Sequence, residues 1–157
     1  MLQPGQSAPE FDLPSTEGTS WSLSKLAGRY AVIYFYPRDN TPGCTTEAKD
    51  FRDLHADFKA LDAQIVGVSP DSLESHATFC QDHSLDFVLL SDPERTMIND
   101  YGAWGEKSMY GKKSVGLIRS TVILSPEGKV LHVFSNVRAK GHAARVLKTL
   151  HELRASS

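Results

Sequence analysis

This chain of 157 residues has few cysteines and no long apolar run. Its two cysteines cannot form the disulfide scaffold that holds a small secreted domain together. No stretch approaches the roughly 18 consecutive apolar residues of a membrane-spanning helix, and the first residues lack the basic start and apolar core of a signal peptide. We therefore expect a cytoplasmic protein that does not contact membranes.

An excess of charge is also missing, because 17 lysines and arginines stand against 19 aspartates and glutamates, for a formal net charge of −2. This balance provides no basic stripe of the kind that binds nucleic acid. Aromatic and basic residues mix in one short run, at Trp104, Lys107, Tyr110, Lys112 and Lys113. We predict that this run is a loop beside the functional site, and we expect no nucleic-acid partner.

The chain has neither an internal repeat nor a Pro/Gly/Ser-rich linker, so we predict a single domain over residues 1–157. Residues 102–116 are a candidate long loop, and short extended pieces on either side of Glu17 predict an N-terminal β-hairpin. Apolar patterns predict strands at 31–36, 64–68, 87–90, 117–124 and 130–134, and helices from 44 to 61, at 71–83, from 92 and at 142–154. This order predicts a mixed central β-sheet flanked by helices, an α/β arrangement expected of a thioredoxin-like fold.

One cysteine lies at a turn from strand to helix. Cys44 follows the apolar strand 31–36 after a short loop, and Pro42 can occupy the first helical position. Asn40 or Thr41 can cap the helix, which places Cys44 in the first turn, near unpaired N–H groups and the positive end of the helix dipole. Such a position favours the thiolate, which is the nucleophilic form.

Two further residues could complete a site around this thiol. The Thr41 hydroxyl can either cap the helix or hydrogen-bond to the sulfur or to an oxygen that approaches it. Arg119 is a charged residue in the apolar strand 117–124, so it either reaches solvent at the strand end or lies over Cys44, where it would hold substrate oxygens. Pro37 ends the preceding strand, stiffens the loop with Pro42 and shields one side of the pocket.

At this point the chain resembles the peroxiredoxins. Pro37, Thr41 and Cys44 match their Pro-x-x-x-Thr-x-x-Cys signature, and Arg119 matches their downstream active-site arginine. Other segments resemble the subgroup called PrxQ or bacterioferritin comigratory protein: 44–48, 69–71, 91–93, 104–107, 110–112 and 119–121. The resemblance extends from about residue 5 to residue 153.

The resemblance implies a peroxidase cycle that begins at Cys44. Its thiolate attacks the terminal oxygen of hydrogen peroxide or an organic hydroperoxide and becomes a sulfenic acid. Negative charge then moves from sulfur onto two oxygens, so we expect Arg119, the Thr41 hydroxyl and the N–H groups near Gly43 and Cys44 to stabilise the transition state. Glu47, one helical turn after Cys44, is a secondary candidate that could orient Arg119 by an ion pair or simply suit the helix dipole.

The second cysteine, Cys80, has two interpretations. It falls at helical spacing with Leu73 and Ala77, which is typical of a buried apolar cysteine. One branch of the family has its second cysteine five residues after the first, where this chain has Lys49. Resemblance to the other subgroup implies that Cys80 resolves Cys44 in an intramolecular disulfide. Because two helical cysteines can lie more than ~7 Å apart between Cα atoms, we expect local unfolding to accompany this step.

The chain lacks a Cys-x-x-Cys motif and a Gly-x-Gly-x-x-Gly motif, so we expect no nicotinamide or flavin cofactor and an external source of electrons. The resemblance implies thioredoxin as reductant, with glutaredoxin or glutathione as alternatives, and a monomeric enzyme. Cys80 and His83 have helical spacing, but without further ligands we predict no metal site. The alternative functions are a thioredoxin-like disulfide oxidoreductase and a binding or chaperone module switched by Cys44 and Cys80 without turnover.

Overall fold

The computed structural model describes residues 2–109 and 111–156, so Tyr110 of the aromatic and basic run lies outside the described residues. The strands are Asp12–Pro14 (β1), Ser20–Ser22 (β2), Tyr30–Phe35 (β3), Ala63–Ser69 (β4), Val88–Ser91 (β5), Trp104–Met109 (β6), Lys112–Leu117 (β7), Ser120–Leu124 (β8) and Val130–Ser135 (β9). The helices are Pro42–Asp53 (α1), His55–Ala60 (α2), Leu73–His83 (α3), Thr96–Asp100 (α4) and His142–Ala155 (α5), with a 3₁₀ turn at Leu23–Leu26.

The central sheet has the strand order β5-β4-β3-β8-β9. The β3, β4 and β5 strands are parallel, whereas β8 is antiparallel to β3 and β9 is antiparallel to β8. The centre of the sheet is β3, which is buried from Ala31 to Phe35, as expected for a strand covered on both faces. The predicted mixed sheet with flanking helices is therefore confirmed, and so is the N-terminal hairpin, in which β1 pairs with β2.

Side chains of β3 alternate between two hydrophobic clusters, one on each face of the sheet. Ile33 and Phe35 point to the face covered by α4 and the N-terminal hairpin. Val32 and Tyr34 point to the face that packs against α1, α3 and α5. Because Cys44 belongs to this second cluster and Cys80 packs against it, both thiols lie on the same side of the sheet.

Two helix predictions need correction. The helix predicted from 44 to 61 is interrupted at Leu54, where the backbone (φ −98°, ψ 3°) separates α1 from α2. The helix predicted to begin at Asp92 begins instead at Thr96, after a turn. The Asp92 carboxylate still serves this helix, because it accepts hydrogen bonds from the N–H groups of Thr96 and Ile98 at 3.1 and 2.9 Å.

The predicted loop at 102–116 is in fact a β-hairpin, formed by β6 and β7. Its strands were missed because residues 112–115 are all exposed, so no alternation of apolar and polar residues marks them. The strand predicted at 117–124 is also divided, since Leu117 pairs with Trp104 in the hairpin while Ser120 pairs with Phe35 in the central sheet. The chain thus passes from one sheet to the other at Ile118 and Arg119.

Within the described residues, no helix has the length and apolar character needed to cross a membrane.

Candidate active site

The first turn of α1 holds Cys44 at the carboxyl end of β3, in the centre of the sheet. Thr41 is the N-cap, in an extended conformation (φ −87°, ψ 155°), and its carbonyl accepts the first helical hydrogen bond, from Thr45 at 2.8 Å. Pro42 occupies the first helical position, as predicted. In the described part of the chain, the N–H groups of Gly43 and Cys44 have no backbone acceptor, so they remain available to an oxygen at this site.

Arg119 lies over this turn and contacts the sulfur directly. Its Nη2 is 3.4 Å from Cys44 Sγ, while its Nη1 donates to Glu47 Oε1 at 2.5 Å. The Cys44 side chain is buried and that of Arg119 is 17% exposed. Arg119 is therefore not a strand residue that reaches solvent, because the passage between the two sheets turns its side chain toward α1.

Gly43 makes room for the guanidinium group. A Cβ atom at this position would lie 3.3 Å from Nη2 of Arg119 and 3.9 Å from Cβ of Ala139. The first of these distances is tighter than ordinary van der Waals contact. A side chain at position 43 would thus shift the arginine by a few tenths of an ångström.

Glu47 is the buried partner of Arg119. Burial raises the pKa of this carboxyl group from 4.5 to about 7, although the positive charge of Arg119 acts in the opposite direction. Its Oε1 atom accepts from Arg119, but Oε2 has no partner among the described residues. One guanidinium nitrogen is consequently fixed by Glu47, while another faces the sulfur.

The loop before α1, residues 36–41, is called here the Cys44 loop. Within it, the Thr41 hydroxyl does not cap α1 but donates to the carbonyl oxygen of Arg38 at 2.9 Å. In this state the Thr41 proton is used by Arg38 and its oxygen can still accept, so the role of Thr41 as a donor to a peroxide oxygen stays a prediction. Pro37 is exposed, and its role as a shield of the pocket stays a prediction.

Cys80 lies in α3, with a half-buried side chain, and both thiols are free. Burial raises the pKa of the Cys80 thiol from 9.0 to about 11, and the negative charge of Asp39 adds to this effect. The spacing of Cys80 with Leu73 and Ala77 does not mark the buried face of α3, because Leu73 and Ala77 are exposed and that face is formed by His76 and Phe79.

A buried histidine near Arg119 was missed by the sequence analysis. His142 is the first residue of α5, and its Nε2 lies 2.7 Å from Oγ1 of Thr121. Burial lowers its pKa to about 4, and Arg145 and Arg119 contribute in the same direction. At neutral pH the ring is therefore uncharged and adds no positive charge to the site. The sequence feature that could have identified His142 is its position directly after Gly141, at the start of a helix.

A second missed group combines Asp39, Asp71 and His76, whose potential ligand atoms lie within 4.8 Å of one another. These atoms are already engaged in hydrogen bonds within the protein. Asp71 Oδ2, for example, accepts from the Asp39 N–H at 2.8 Å and from Ser69 Oγ at 2.7 Å. We therefore assign no metal to this group.

Comparison with known proteins places this geometry in context. The model of the AhpC/TSA family matches residues 4–133. Peroxiredoxin Bcp of Bacillus subtilis is 44% identical over 152 residues, which is 97% of each chain. The Xanthomonas campestris bacterioferritin comigratory protein, whose structure was solved to study alkyl peroxide reduction, has a TM-score of 0.85 and 42% identity over 90% of each chain. The structure of Xylella fastidiosa PrxQ has a TM-score of 0.89 and 32% identity over 97% of each chain.

Proposed function

The chain belongs to the AhpC/TSA family, and we propose that it is a thiol peroxidase whose peroxide-reducing group is Cys44. The observation that carries this proposal is the contact of 3.4 Å between Cys44 Sγ and Arg119 Nη2 at the start of α1. A buried thiol beside an arginine and two free N–H groups is suited to attack a neutral substrate that becomes negatively charged during the reaction.

The first step is an in-line displacement. The Cys44 thiolate attacks the terminal oxygen of a hydroperoxide ROOH, an S–O bond forms, and the O–O bond breaks. The sulfur is oxidised to a sulfenic acid, and the departing RO⁻ takes up a proton to leave as an alcohol, or as water when the substrate is hydrogen peroxide. As charge moves onto the two oxygens, Arg119 and the N–H groups of Gly43 and Cys44 stabilise the transition state.

Glu47 prepares Arg119 for this step. By accepting from Nη1, it holds the guanidinium plane in place and leaves Nη2 directed at the sulfur. An arginine that is already oriented loses little freedom when charge develops, so its full interaction is available in the transition state. The Thr41 oxygen, whose proton is donated to Arg38, can accept the O–H of the incoming hydroperoxide.

The second step converts the sulfenic acid into a disulfide. We assign Cys80 as the resolving residue: its sulfur attacks the Cys44 sulfenic sulfur, an intramolecular S–S bond forms, and the S–OH bond breaks. The hydroxide leaves as water with the proton of the Cys80 thiol. Because the sulfur atoms must come to about 2.05 Å and Cys44 is buried, this step requires local rearrangement.

The disulfide is then reduced by a dithiol from a partner, since the chain has no Cys-x-x-Cys motif. We propose thioredoxin, with glutaredoxin or glutathione as alternatives, and a cytoplasmic monomer that forms a single domain over residues 1–157. A disulfide oxidoreductase of this fold would require a second cysteine close to the first in the sequence, as in a Cys-x-x-Cys motif. A redox-switched binding module would not require the contact between Arg119 and Cys44, which therefore favours a peroxidase.

The experiment is peroxide-dependent oxidation of NADPH in the presence of thioredoxin and thioredoxin reductase. Wild type is compared with Cys44→Ser and Cys80→Ser, and disulfides are mapped by mass spectrometry. We expect Cys44→Ser to abolish turnover and Cys80→Ser to form the sulfenic acid without thioredoxin-dependent turnover. Peroxide consumption that survives Cys44→Ser would contradict the main proposal, whereas full turnover by Cys80→Ser would contradict the resolving role alone.

A further inference from the structure

A buried histidine–aspartate contact joins the Cys44 loop to the helix that carries Cys80. Asp39 of the loop and His76 of α3 are linked by a contact of 2.7 Å between Oδ2 and Nδ1, and their side chains are 2% and 0% exposed. The same carboxylate accepts from Tyr36 at 2.6 Å and from Ser75 at 2.8 Å. Its hydrogen-bonding capacity is therefore used to hold the loop on α3.

Both ring nitrogens of His76 have partners. Its Nε2 lies 2.9 Å from the carbonyl oxygen of Leu90. Its Nδ1 lies 2.7 Å from Oδ2 of Asp39. Because both side chains are buried, loss of either partner leaves a buried polar group unsatisfied.

A second contact joins the loop to the other end of α3. Asn40 Oδ1 lies 2.9 Å from Nε2 of His83, and Arg52 of α1 donates to the His83 carbonyl at 2.7 Å. Cys80 stands between these contacts, four residues after His76 and three before His83. Since residues four apart share a helix face, His76 and Cys80 both point toward the side on which the loop lies.

The closed arrangement also keeps Cys80 unreactive. Burial and the neighbouring Asp39 carboxylate together raise the pKa of its thiol from 9.0 to about 11. The thiolate, which is the attacking form, is thereby about a hundredfold rarer at neutral pH than in an ordinary cysteine. Separation of α3 from the loop would remove both causes and, at the same time, free Cys80 to approach Cys44.

We propose that Asp39 and His76 are positioning residues for the resolution step: their buried pair holds α3 on the Cys44 loop, and its opening sets the rate at which Cys80 attacks the sulfenic acid. This inference rests on the proposed function, in which Cys80 is the resolving thiol. In the attack, the Cys80 sulfur bonds to the Cys44 sulfur and water leaves with the Cys80 proton, so no further reactant is needed.

The test compares His76→Asn with a matched control. His55→Asn disrupts another histidine–aspartate pair, formed with Asp86 at 2.9 Å, and neither of these residues belongs to the Cys44 loop or to α3. Sulfenic acid and disulfide are measured by rapid quenching, alkylation and mass spectrometry after a single addition of hydrogen peroxide. In His76→Asn the ratio of the resolution rate to the peroxide rate is expected to rise on the order of tenfold, because the open state becomes more populated. In the control the ratio is expected to stay at the wild-type value.

Amide hydrogen exchange of α3 in the reduced proteins provides a second readout, with faster exchange expected in His76→Asn than in His55→Asn. If His76→Asn does not fold, Ser75→Ala, which removes one donor to Asp39, should give a smaller change in the same direction. An unchanged or lower ratio with unchanged exchange would overturn the inference. If wild type forms no Cys44–Cys80 disulfide, the resolving assignment fails, and the α3 exchange rates alone then decide whether the pair holds the helix.

Discussion

Replacing Glu47 by glutamine tests how burial and the charge of Arg119 together set the pKa of the Glu47 carboxyl group, which orients the arginine. The pKa of Glu47 is raised by burial from 4.5 to about 7, which means that the folded protein disfavours the charged form. A carboxyl group of this kind contributes its full stability below the unfolded pKa and loses that contribution as the pH rises through the folded pKa. Glutamine has almost the same shape, and its amide oxygen can still accept from Arg119, but it does not titrate.

The expected effect follows from the size of the shift. A rise from 4.5 to about 7 corresponds to about 3 kcal/mol of unfolding free energy, lost progressively between these values. Between pH 5 and pH 7.5, we expect the unfolding free energy of wild type to fall by roughly 2 kcal/mol relative to that of Glu47→Gln. Other titrating groups are common to both proteins and cancel in the difference. The sign of this pH dependence is thus set by the Glu47 carboxyl group.

The assay is urea unfolding of the two reduced proteins at several pH values between 5 and 7.5, followed by tryptophan fluorescence and circular dichroism. Glu106→Gln serves as a control, because Glu106 is exposed and its ion pair with Lys113 spans 3.5 Å. Its difference from wild type should depend little on pH. Parallel curves for wild type and Glu47→Gln would refute the reasoning, and a difference of opposite sign would show that the attraction of Arg119 exceeds the cost of burial.

Two further substitutions test the geometry around the sulfur. Gly43→Ala is expected to lower the rate of peroxide reduction roughly tenfold by displacing the Arg119 guanidinium, while the stability stays equal or rises because alanine favours a helix. Stopped-flow oxidation measures the rate and thermal unfolding measures the stability. Gly105→Ala is the control, because a Cβ atom at that position would meet its nearest atom at 3.6 Å. Thr41→Val is expected to lower the peroxide rate by roughly ten- to a hundredfold, with rescue by Thr41→Ser, since either hydroxyl can donate to Arg38 and accept from the substrate. An equal loss in Gly105→Ala, or no rescue by serine, would contradict these assignments.

Buried elements of the fold could be predicted from the sequence because burial imposes a pattern on residue type. The central strand β3 and the amphipathic helix α5 show clear apolar patterns, and their predicted bounds agree closely with the structure. The hairpin of β6 and β7 has no such pattern, because much of it faces water and its stability comes from backbone pairing. Exposed strands of this kind are set by partners that the local sequence does not reveal.

The candidate site shows the same division between local and distant determinants. The position of Cys44 in the first helical turn follows from Pro42 and the preceding strand, which lie next to it in the chain. The direction of Arg119, in contrast, depends on the passage between two sheets, and the pairing of Asp39 with His76 depends on the packing of α3 against a loop. Such contacts join residues 37 or more positions apart, and residue type alone does not identify the partner.

The opposite surroundings of the two cysteines explain why one of them can meet peroxide first. Cys44 faces the guanidinium of Arg119 and the free N–H groups of its helical turn, which stabilise negative charge as it moves onto the peroxide oxygens. Cys80 lies near the carboxylate of Asp39, which, together with burial, raises the pKa of its thiol. Once Cys44 is a sulfenic acid it becomes the electrophile, and turnover then requires that Cys80 leave the influence of Asp39. The Cys44 loop must therefore keep the first thiol in place and also allow the second to be released. The Asp39–His76 pair sets the balance between these two requirements.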